Sequence, residues 1–245
     1  MFRHTGEART LQHDLRIASL LSFVAGIVNV AGFLSVNRLT TNVTGHFAFL
    51  IDEVFQLNFL QGFVFLLYIF FFLLGSFISS FLVEFIYRWN KTYVYTFPAL
   101  LESLLLFLVP MLGSLIYRSP DTVAFLLLFA MGLQNSLVTT ISKAVVRTTH
   151  LTGLFTDLGI ELSQLFFYKK KEQRDKLYSS IRLRLTIIFF FFIGGIASGF
   201  LYSTFKLHVL TFAGVILLFG VTFNYLKYGI IKVKNNFIEK GNTNS

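Results

Sequence analysis

Long apolar runs separated by short polar stretches make up most of the 245-residue chain. Six runs are about as long as a helix that crosses a bilayer, which needs about 20 residues. The runs are continuous rather than alternating, which favours helices over the strands of a membrane barrel. We therefore predict an all-α integral membrane protein with six transmembrane helices, at 15–36, 60–86, 93–116, 123–141, 183–202 and 209–226.

Two shorter apolar segments, 46–57 and 154–167, each follow a polar motif. They are too short to cross a bilayer comfortably, and their length is typical of re-entrant or half-helices. The motifs are "LTTNVTG" at Leu39 to Gly45 and "RTTHLTG" at Arg147 to Gly153. The sequence thus predicts two polar junctions, each between a membrane span and a half-helix.

The similarity between the two halves extends beyond these motifs. Gly26 and Asn29 match Gly132 and Asn135, and "GSFIS" from Gly75 aligns with "GIASG" at 195–199. A single membrane domain, 1–245, therefore contains two repeat units, 15–117 and 121–228. If the short segments do not cross, each unit has three spans, and the odd number inverts the second unit relative to the first.

The distribution of basic residues supports this count. With six spans and cytoplasmic termini, 18 of the 21 Lys and Arg residues lie on the cytoplasmic side, whereas eight spans leave 15 there. Positive charge is typical of cytoplasmic loops. The net charge of +9 therefore indicates a membrane surface, with lipids as partners and no nucleic acid.

The motifs predict a binding site if both half-helices begin near the bilayer midplane. Threonine hydroxyls can cap the free N–H groups of the following helix, and glycine allows close approach. Helix N-termini also attract anions. The alternative is that both motifs are capped turns at the membrane surface with a local role only.

Other polar residues in apolar surroundings extend the candidate site. Intramembrane carboxylates suggest a proton or cation relay, or else interfacial pairs with Lys or Arg, and Glu102 is expected to pair with Arg147 or His150. The asparagines at 29 and 135 are cavity-lining or interhelical bonding residues. The candidate substrate- or ion-binding residues are Asn29, Thr41, Asn42, Thr44, Gly45, Glu53, Glu102, Asn135, Thr149, His150, Thr152, Gly153, Asp157 and Glu161.

Catalytic chemistry finds no support in the sequence. The chain contains no cysteine, and its histidines lack metal-ligand spacing. Catalytic triads and phosphate-binding loops are also unrecognisable, so we nominate no catalytic or metal-binding residue and expect neither an enzyme nor a cofactor.

The chain resembles the YoaK family of bacterial inner-membrane proteins, a domain of unknown function. The resemblance lies in the two motifs with their upstream Gly-x-x-Asn, and in the stretches "GLQNSL" and "RTTHLTGLFTDLG" of the second half. The resemblance covers about 15–226 and implies a multi-span protein in the bacterial cytoplasmic membrane. The leading hypothesis is a transporter or permease for a small solute, with an anion as one candidate. The alternative is a non-transporting scaffold that acts through the basic loop at 169–176, and exposed Gly-x-x-x-Gly faces could form a homodimer.

Overall fold

The computed structural model describes residues 10–89, 93–112, 119–142 and 145–223, and nearly all of these are helical. A 3-10 turn at Lys206–His208 leads into a last helical stretch, α8, at 209–223. The preceding helices are α1 (Leu11–Val36), α2 (Val43–Phe55), α3 (Phe59–Trp89), α4 (Thr96–Met111), α5 (Pro120–Ser142), α6 (Leu151–Phe167) and α7 (Lys171–Phe205).

Four helical stretches in the described ranges are long and apolar enough to cross a membrane: Leu11–Val36, Phe59–Trp89, Pro120–Ser142 and Lys171–Phe223. The helix α4 is apolar but has only 16 residues. The ends of two predicted spans, 93–116 and 209–226, lie outside the described residues. These findings establish a helical membrane protein.

The 53-residue stretch Lys171–Phe223 is not one straight rod. Ser198 donates a hydrogen bond to the carbonyl of Ile27 in α1, whereas Gly220 lies against Leu20, which comes earlier in α1. The chain therefore advances along α1 and then returns. The reversal coincides with Lys206, whose φ of 50° is incompatible with a continuing α-helix.

Two equivalent helix pairs form the frame of the molecule. The α1 helix packs on α7, and α5 packs in the same way on α3. A Cβ at Gly26 would collide with the backbone of α7, and one at Gly132 would collide with the backbone of α3. Such close approach permits tight helix packing without a large apolar side chain between the backbones. The central helices α1 and α5 are accordingly far more buried than α3 and α7.

The small residues of α3 and α7 correct the predicted alignment of the two halves. Gly75 faces the Phe129 carbonyl of α5, and its counterpart at the Phe23 carbonyl of α1 is Gly194. "GSFIS" therefore matches 194–198, one residue earlier than the alignment proposed, because helix packing sets the register. The small-residue faces are used within the chain, so they give no support to a homodimer.

Large apolar side chains face outward on the two outer helices. On α3, Phe63, Phe70, Phe77, Phe81 and Phe85 are all exposed, at a helical spacing. A continuous apolar stripe of this kind suits contact with lipid, since a soluble helix would present polar residues there.

Candidate functional site

The loop after α1 turns back along the helix that it follows. Thr40 donates a hydrogen bond of 3.2 Å to the carbonyl of Val28. Val28 lies eight residues before the end of α1 at Val36, which is about 12 Å at the helical rise of 1.5 Å per residue. The loop therefore re-enters the helix bundle, and α2 begins there.

The loop after α5 does the same. Thr148 accepts a hydrogen bond of 3.2 Å from Gln134, and Thr149 donates one of 2.8 Å to Asn135. Asn135 lies seven residues before the end of α5 at Ser142, or about 10 Å along the helix. Both short helices thus begin inside the bundle rather than at its ends.

One equivalent hydrogen bond from threonine to asparagine fixes each of the two loops. Thr41 Oγ1 donates to Asn29 Oδ1 at 2.7 Å, as Thr149 Oγ1 does to Asn135 Oδ1 at 2.8 Å. The prediction that the motif threonines cap the following helices is therefore wrong for these two hydroxyls. Asn42 caps α2 instead, since its side chain accepts from the backbone N–H of Gly45 at 3.1 Å.

The positions at which the short helices begin explain why the motif threonines are not their N-caps. The short helices begin at Val43 and Leu151, so the later threonines of both motifs already lie in the first helical turn. His150 occupies the N-cap position of α6 but forms no side-chain capping bond. Its ring is free of that role and faces the cavity described next.

Both motifs line one cavity of about 260 Å³, which we call the motif cavity. Each re-entrant loop contributes polar groups, and the wall between them comes from α3 and α5. The lining residues are Thr41, Asn42, Val43, Thr44, Phe72, Asn135, Thr139, Arg147, Thr149 and His150.

Four other predicted residues, in the motifs or upstream of them, do not line this cavity. Asn29 is held through Thr41. A Cβ at Gly45 would meet the Leu39 side chain, and one at Gly153 would meet the ring of His150. These glycines make room for neighbouring side chains. Thr152 lies in the first turn of α6, where its carbonyl accepts from Thr156.

Three of the predicted carboxylates lie away from the motif cavity. Glu53 accepts a hydrogen bond of 2.7 Å from Asn58 at the turn between α2 and α3. Asp157 and Glu161 of α6 both pair with Arg184 of α7, at 3.0 and 2.9 Å. Of the two residues for which a pair with Lys or Arg was the alternative, Glu161 forms one with Arg184, whereas Glu53 bonds Asn58.

Glu102 does not form the predicted pair with Arg147 or His150. Its side chain is fully buried in α4, and neither carboxylate oxygen has a hydrogen-bond partner among the described residues. Arg147 lines the motif cavity instead, and it is exposed. The tertiary packing of α4 decides this outcome, since the residue spacing alone gives no distance between separate helices.

Sequence reasoning missed four lining residues: Val43, Phe72, Thr139 and Arg147. Two signals could have found the polar ones. Arg147 stands where the first motif has Leu39, so it is the one charged difference between the motifs, and Thr139 follows Asn135 by one helical turn. No acidic side chain lines the cavity in the described part of the chain, so its only formal charge is positive.

A second polar cluster joins the first loop to two helices. Tyr68 donates a very short hydrogen bond to Asp121, and Arg38 donates to the Tyr68 hydroxyl at 3.2 Å. Partial burial lowers the pKa of Arg38, but its contacts with Tyr68 and Asp121 raise it by more, so that the pKa lies above the ordinary value. The ring of His46 packs at a tilt against that of Tyr68 and forms a 2.6 Å hydrogen bond with the Leu39 carbonyl. These contacts hold α2 against α3.

Metal ligands are not gathered anywhere in the described ranges, where no group of three or more His, Cys, Asp or Glu residues could hold an ion. The polar chemistry of the bundle interior therefore centres on hydroxyl, amide, imidazole and guanidinium groups of the motif cavity. Each of these groups is a neutral or cationic hydrogen-bonding group.

The fold and the cavity define a helical membrane protein with paired polar loops that re-enter the bundle. The chain belongs to the family described as "Protein of unknown function (DUF1275)", whose profile matches residues 17–223. It is similar to the "UPF0700 transmembrane protein YoaK" of Bacillus subtilis (strain 168), at 27% identity over 212 residues, which cover 84% of this chain and 91% of that protein. The resemblance drawn from the motifs is thus confirmed. No solved structure matches the chain.

Proposed function

We propose that the protein is a permease for a small anion, which binds in the motif cavity. The observation that carries this proposal is that two re-entrant motifs, 108 positions apart in sequence, line one cavity containing Arg147 and no carboxylate in the described part of the chain. Helix N-termini that meet inside a membrane attract negative charge because their N–H groups are unpaired.

The proposed topology has six spans in two inverted units, 15–117 and 121–228. It is supported by the directions of the helices. The contacts of Tyr68 with Asp121 and of Ser76 with Gly132 make α3 and α5 parallel, whereas Gly220 returns to Leu20 of α1. With α4 and α8 as spans, the two units have opposite orientations, as in many transporters with a central site.

The packing of α2 supports its proposed role as a re-entrant helix. His46 lies beside Tyr68, and Val54 lies beside Gly62, so α2 runs antiparallel to the start of α3. It therefore leads back towards the end of the bundle from which its loop entered. Irregular backbone at membrane depth is tolerated where it lines a cavity, as these loops do.

The proposed location is the bacterial cytoplasmic membrane with both termini in the cytoplasm. The basic bias of the loops supports this orientation. Membrane lipids are the expected surroundings, a small anion is the expected ligand, and we propose no nucleic-acid partner and no catalysed reaction.

Cysteine labelling tests the topology, because the chain contains no native cysteine. Asn58→Cys and Trp89→Cys place single thiols at exposed positions near opposite ends of α3. A membrane-impermeant maleimide on intact cells should label position 58 but not position 89. Labelling of position 89 but not position 58 would reverse the proposed orientation.

Anion binding tests the site itself. We expect one of chloride, sulfate or inorganic phosphate to raise the melting temperature of the purified protein. The change Arg147→Gln should weaken the binding of that anion at least about tenfold, because a charge-assisted hydrogen bond is lost. Arg182→Gln, at an exposed position of α7, is the matched control and should leave binding unchanged. If none of the anions binds, or Arg147→Gln has no effect, the proposed site is wrong.

A scaffold function through the basic segment 169–176 is the second candidate. One observation favours it: α7 begins at Lys171, and its first six residues are all exposed. Scrambling 169–176 with its charge kept should abolish a docking function and leave anion binding intact.

A further inference from the structure

Glu102 stands apart from the other acidic residues of the described bundle. It is 0% exposed, and both of its carboxylate oxygens lack a hydrogen-bond partner in the described ranges. Glu53, Asp157 and Glu161 each have a polar partner. An ionised carboxylate without a partner in an apolar interior costs several kcal/mol, so a neutral, protonated form is strongly favoured.

The packing around Glu102 is apolar. It shares a buried face of α4 with Pro98, Leu106 and Val109, one and two helical turns away. Ser103, the adjacent polar residue, gives its hydroxyl hydrogen to the Ala99 carbonyl. The local chain therefore provides neither a cation nor a hydrogen-bond donor to a negative charge at this position.

Neighbouring helices also place no described countercharge on Glu102. The α5 helix has one ionisable residue, Asp121, which is held by Tyr68 and Arg38, and α8 at 209–223 has none. The other ionisable residues on elements that pack against α4 are Glu84, Tyr87 and Arg88, at the end of α3, and Lys206 and His208, which are exposed at the 3-10 turn.

Glu102 lies near the depth of the motif cavity. The carbonyl of the next residue, Ser103, packs against Gly214, and Gly220 packs against Leu20. Because α8 runs antiparallel to α1, residues that precede Gly220 lie progressively further along α1 in the direction of Asn29. Gly214 precedes Gly220 by six residues, so it lies about 9 Å from the level of Leu20 in that direction. Asn29 itself is nine residues, or about 13 Å, from Leu20. Glu102 is thus within about one helical turn of the depth of Asn29.

The α5 helix connects the two places. One side of α5 packs against α4, and the same helix provides Asn135 and Thr139 to the motif cavity. If Glu102 lost its proton, the resulting charge would favour an arrangement in which water reaches α4. Proton release and helix rearrangement would then be linked through their common equilibrium.

We propose that Glu102 is the proton-binding site of the transport cycle, so that the anion in the motif cavity crosses the membrane together with a proton. This inference rests on the proposed permease function and adds its coupling ion. The proton binds a carboxylate oxygen of Glu102 on one side of the membrane and leaves the same oxygen on the other.

Infrared spectroscopy of the reconstituted protein in D₂O tests the protonation. At pH 7 we expect a C=O stretching band of a neutral carboxylic acid in the wild type. Glu102→Gln should remove this band, and Glu84→Gln, at an exposed position, should leave it unchanged. Absence of the band in the wild type would overturn the assignment of the proton to Glu102.

Proteoliposomes with a trapped pH-sensitive dye test the coupling. Inward gradients of chloride, sulfate and inorganic phosphate are imposed in turn, with potassium and valinomycin clamping the voltage and protein-free vesicles as the baseline. The anion that enters should acidify the lumen. Glu102→Gln, which mimics the neutral side chain, should lower acidification at least about tenfold while anion-induced stabilisation persists. Glu102→Asp should retain part of the acidification.

The outcomes separate the two proposals. If the wild type moves an anion without acidification, or Glu102→Gln acidifies like the wild type, the coupling is wrong and the permease function stands. If no anion enters and none binds, the permease function fails and the coupling falls with it. The infrared band reports the protonation of Glu102 in either case.

Discussion

The two short helices occupy equivalent places in their halves, yet they are held very differently. The α2 helix lies along α3, where His46, Phe65 and Tyr68 form a cluster of rings. The α6 helix contacts α7 mainly at Leu158 and Ile181 and through the ion pairs of Arg184. Towards its start, α6 leaves an apolar cleft of about 450 Å³, lined by Val30, Leu151, Phe155, Ile188, Phe191, Phe192, Gly195 and Ile196.

This difference shows how one topology can combine a fixed half and a looser half. The helix pairs α1 with α7 and α3 with α5, each of which joins one half to the other, are both tight because glycines allow backbone contact. The short helix contacts its neighbouring outer helix more extensively in the first half than in the second. We therefore expect α6 to open at a lower free energy than α2, since local stability follows the density of local contacts.

The largest effect should come from the frame that both halves share. In Gly132→Val, the new Cβ would meet the carbonyl of Phe72, a backbone atom that cannot rotate away. We expect a loss of about 3 kcal/mol or more in the free energy of unfolding, because overpacking here must move a helix. Unfolding of the detergent-solubilised protein measures it. The control, Gly159→Ala, has open space around the new Cβ and should be neutral or stabilising.

Equivalent positions at the start of the short helices give the next largest effect. His46 and Leu154 are 108 residues apart, the spacing of the motifs, and both are buried. His46→Ala removes a hydrogen bond to Leu39 and the packing of the ring on Tyr68, so we expect a loss of about 2–4 kcal/mol. Leu154→Ala should cost about 1 kcal/mol less, since it removes apolar packing but no hydrogen bond. Equal losses in unfolding experiments would contradict the contrast between the halves.

The ion pairs of α6 should contribute less. Arg184→Gln breaks the contacts with Asp157 and Glu161 and leaves the Glu161 carboxylate, 13% exposed, without its cation. We expect a loss of about 1–2 kcal/mol, because the pairs are partly accessible to solvent. Hydrogen exchange should rise in α6 and remain unchanged in α2. The control Lys176→Gln breaks a fully exposed pair and should have almost no effect. A uniform rise in both helices would argue against a separate, looser α6.

The smallest effect should come from the cleft itself. Phe155→Leu removes part of a side chain that is 57% exposed and borders empty space. We expect a change below about 1 kcal/mol, whereas Phe65→Leu, at 7% exposure in the first half, should cost more. The same unfolding measurement compares them. If Phe155→Leu proves the more damaging of the two, the cleft is filled in solution.

Much of the architecture could be predicted because its signals are local. Apolar runs gave α1, α3 and α5, and the short segments were placed within three residues of the starts of α2 and α6. The matching motifs made Asn29 equivalent to Asn135 and Thr41 equivalent to Thr149, and in the structure each threonine of these pairs donates to the asparagine of its own half. Their hydrogen bonds could not be predicted, since each bond depends on how far a loop folds back along its helix.

The candidate site shows the limit more sharply. Six predicted residues line the motif cavity: Thr41, Asn42, Thr44, Asn135, Thr149 and His150. The carboxylates of Glu53, Asp157 and Glu161 were grouped with them only because all are polar residues in apolar surroundings. Arg147 was assigned to Glu102 rather than to the cavity. Polarity identifies residues that need a partner, but it does not identify the partner.

The sequence by itself determined the class of the protein, its helices and its internal repetition, because hydrophobic length and motif spacing are properties of the chain. Only the tertiary structure decided that both motifs share one cavity, that Arg147 lines it, and that Glu102 is left without a partner. The physical reason is that these facts depend on distances between helices. Those distances are set by glycine contacts and side-chain packing across the whole bundle.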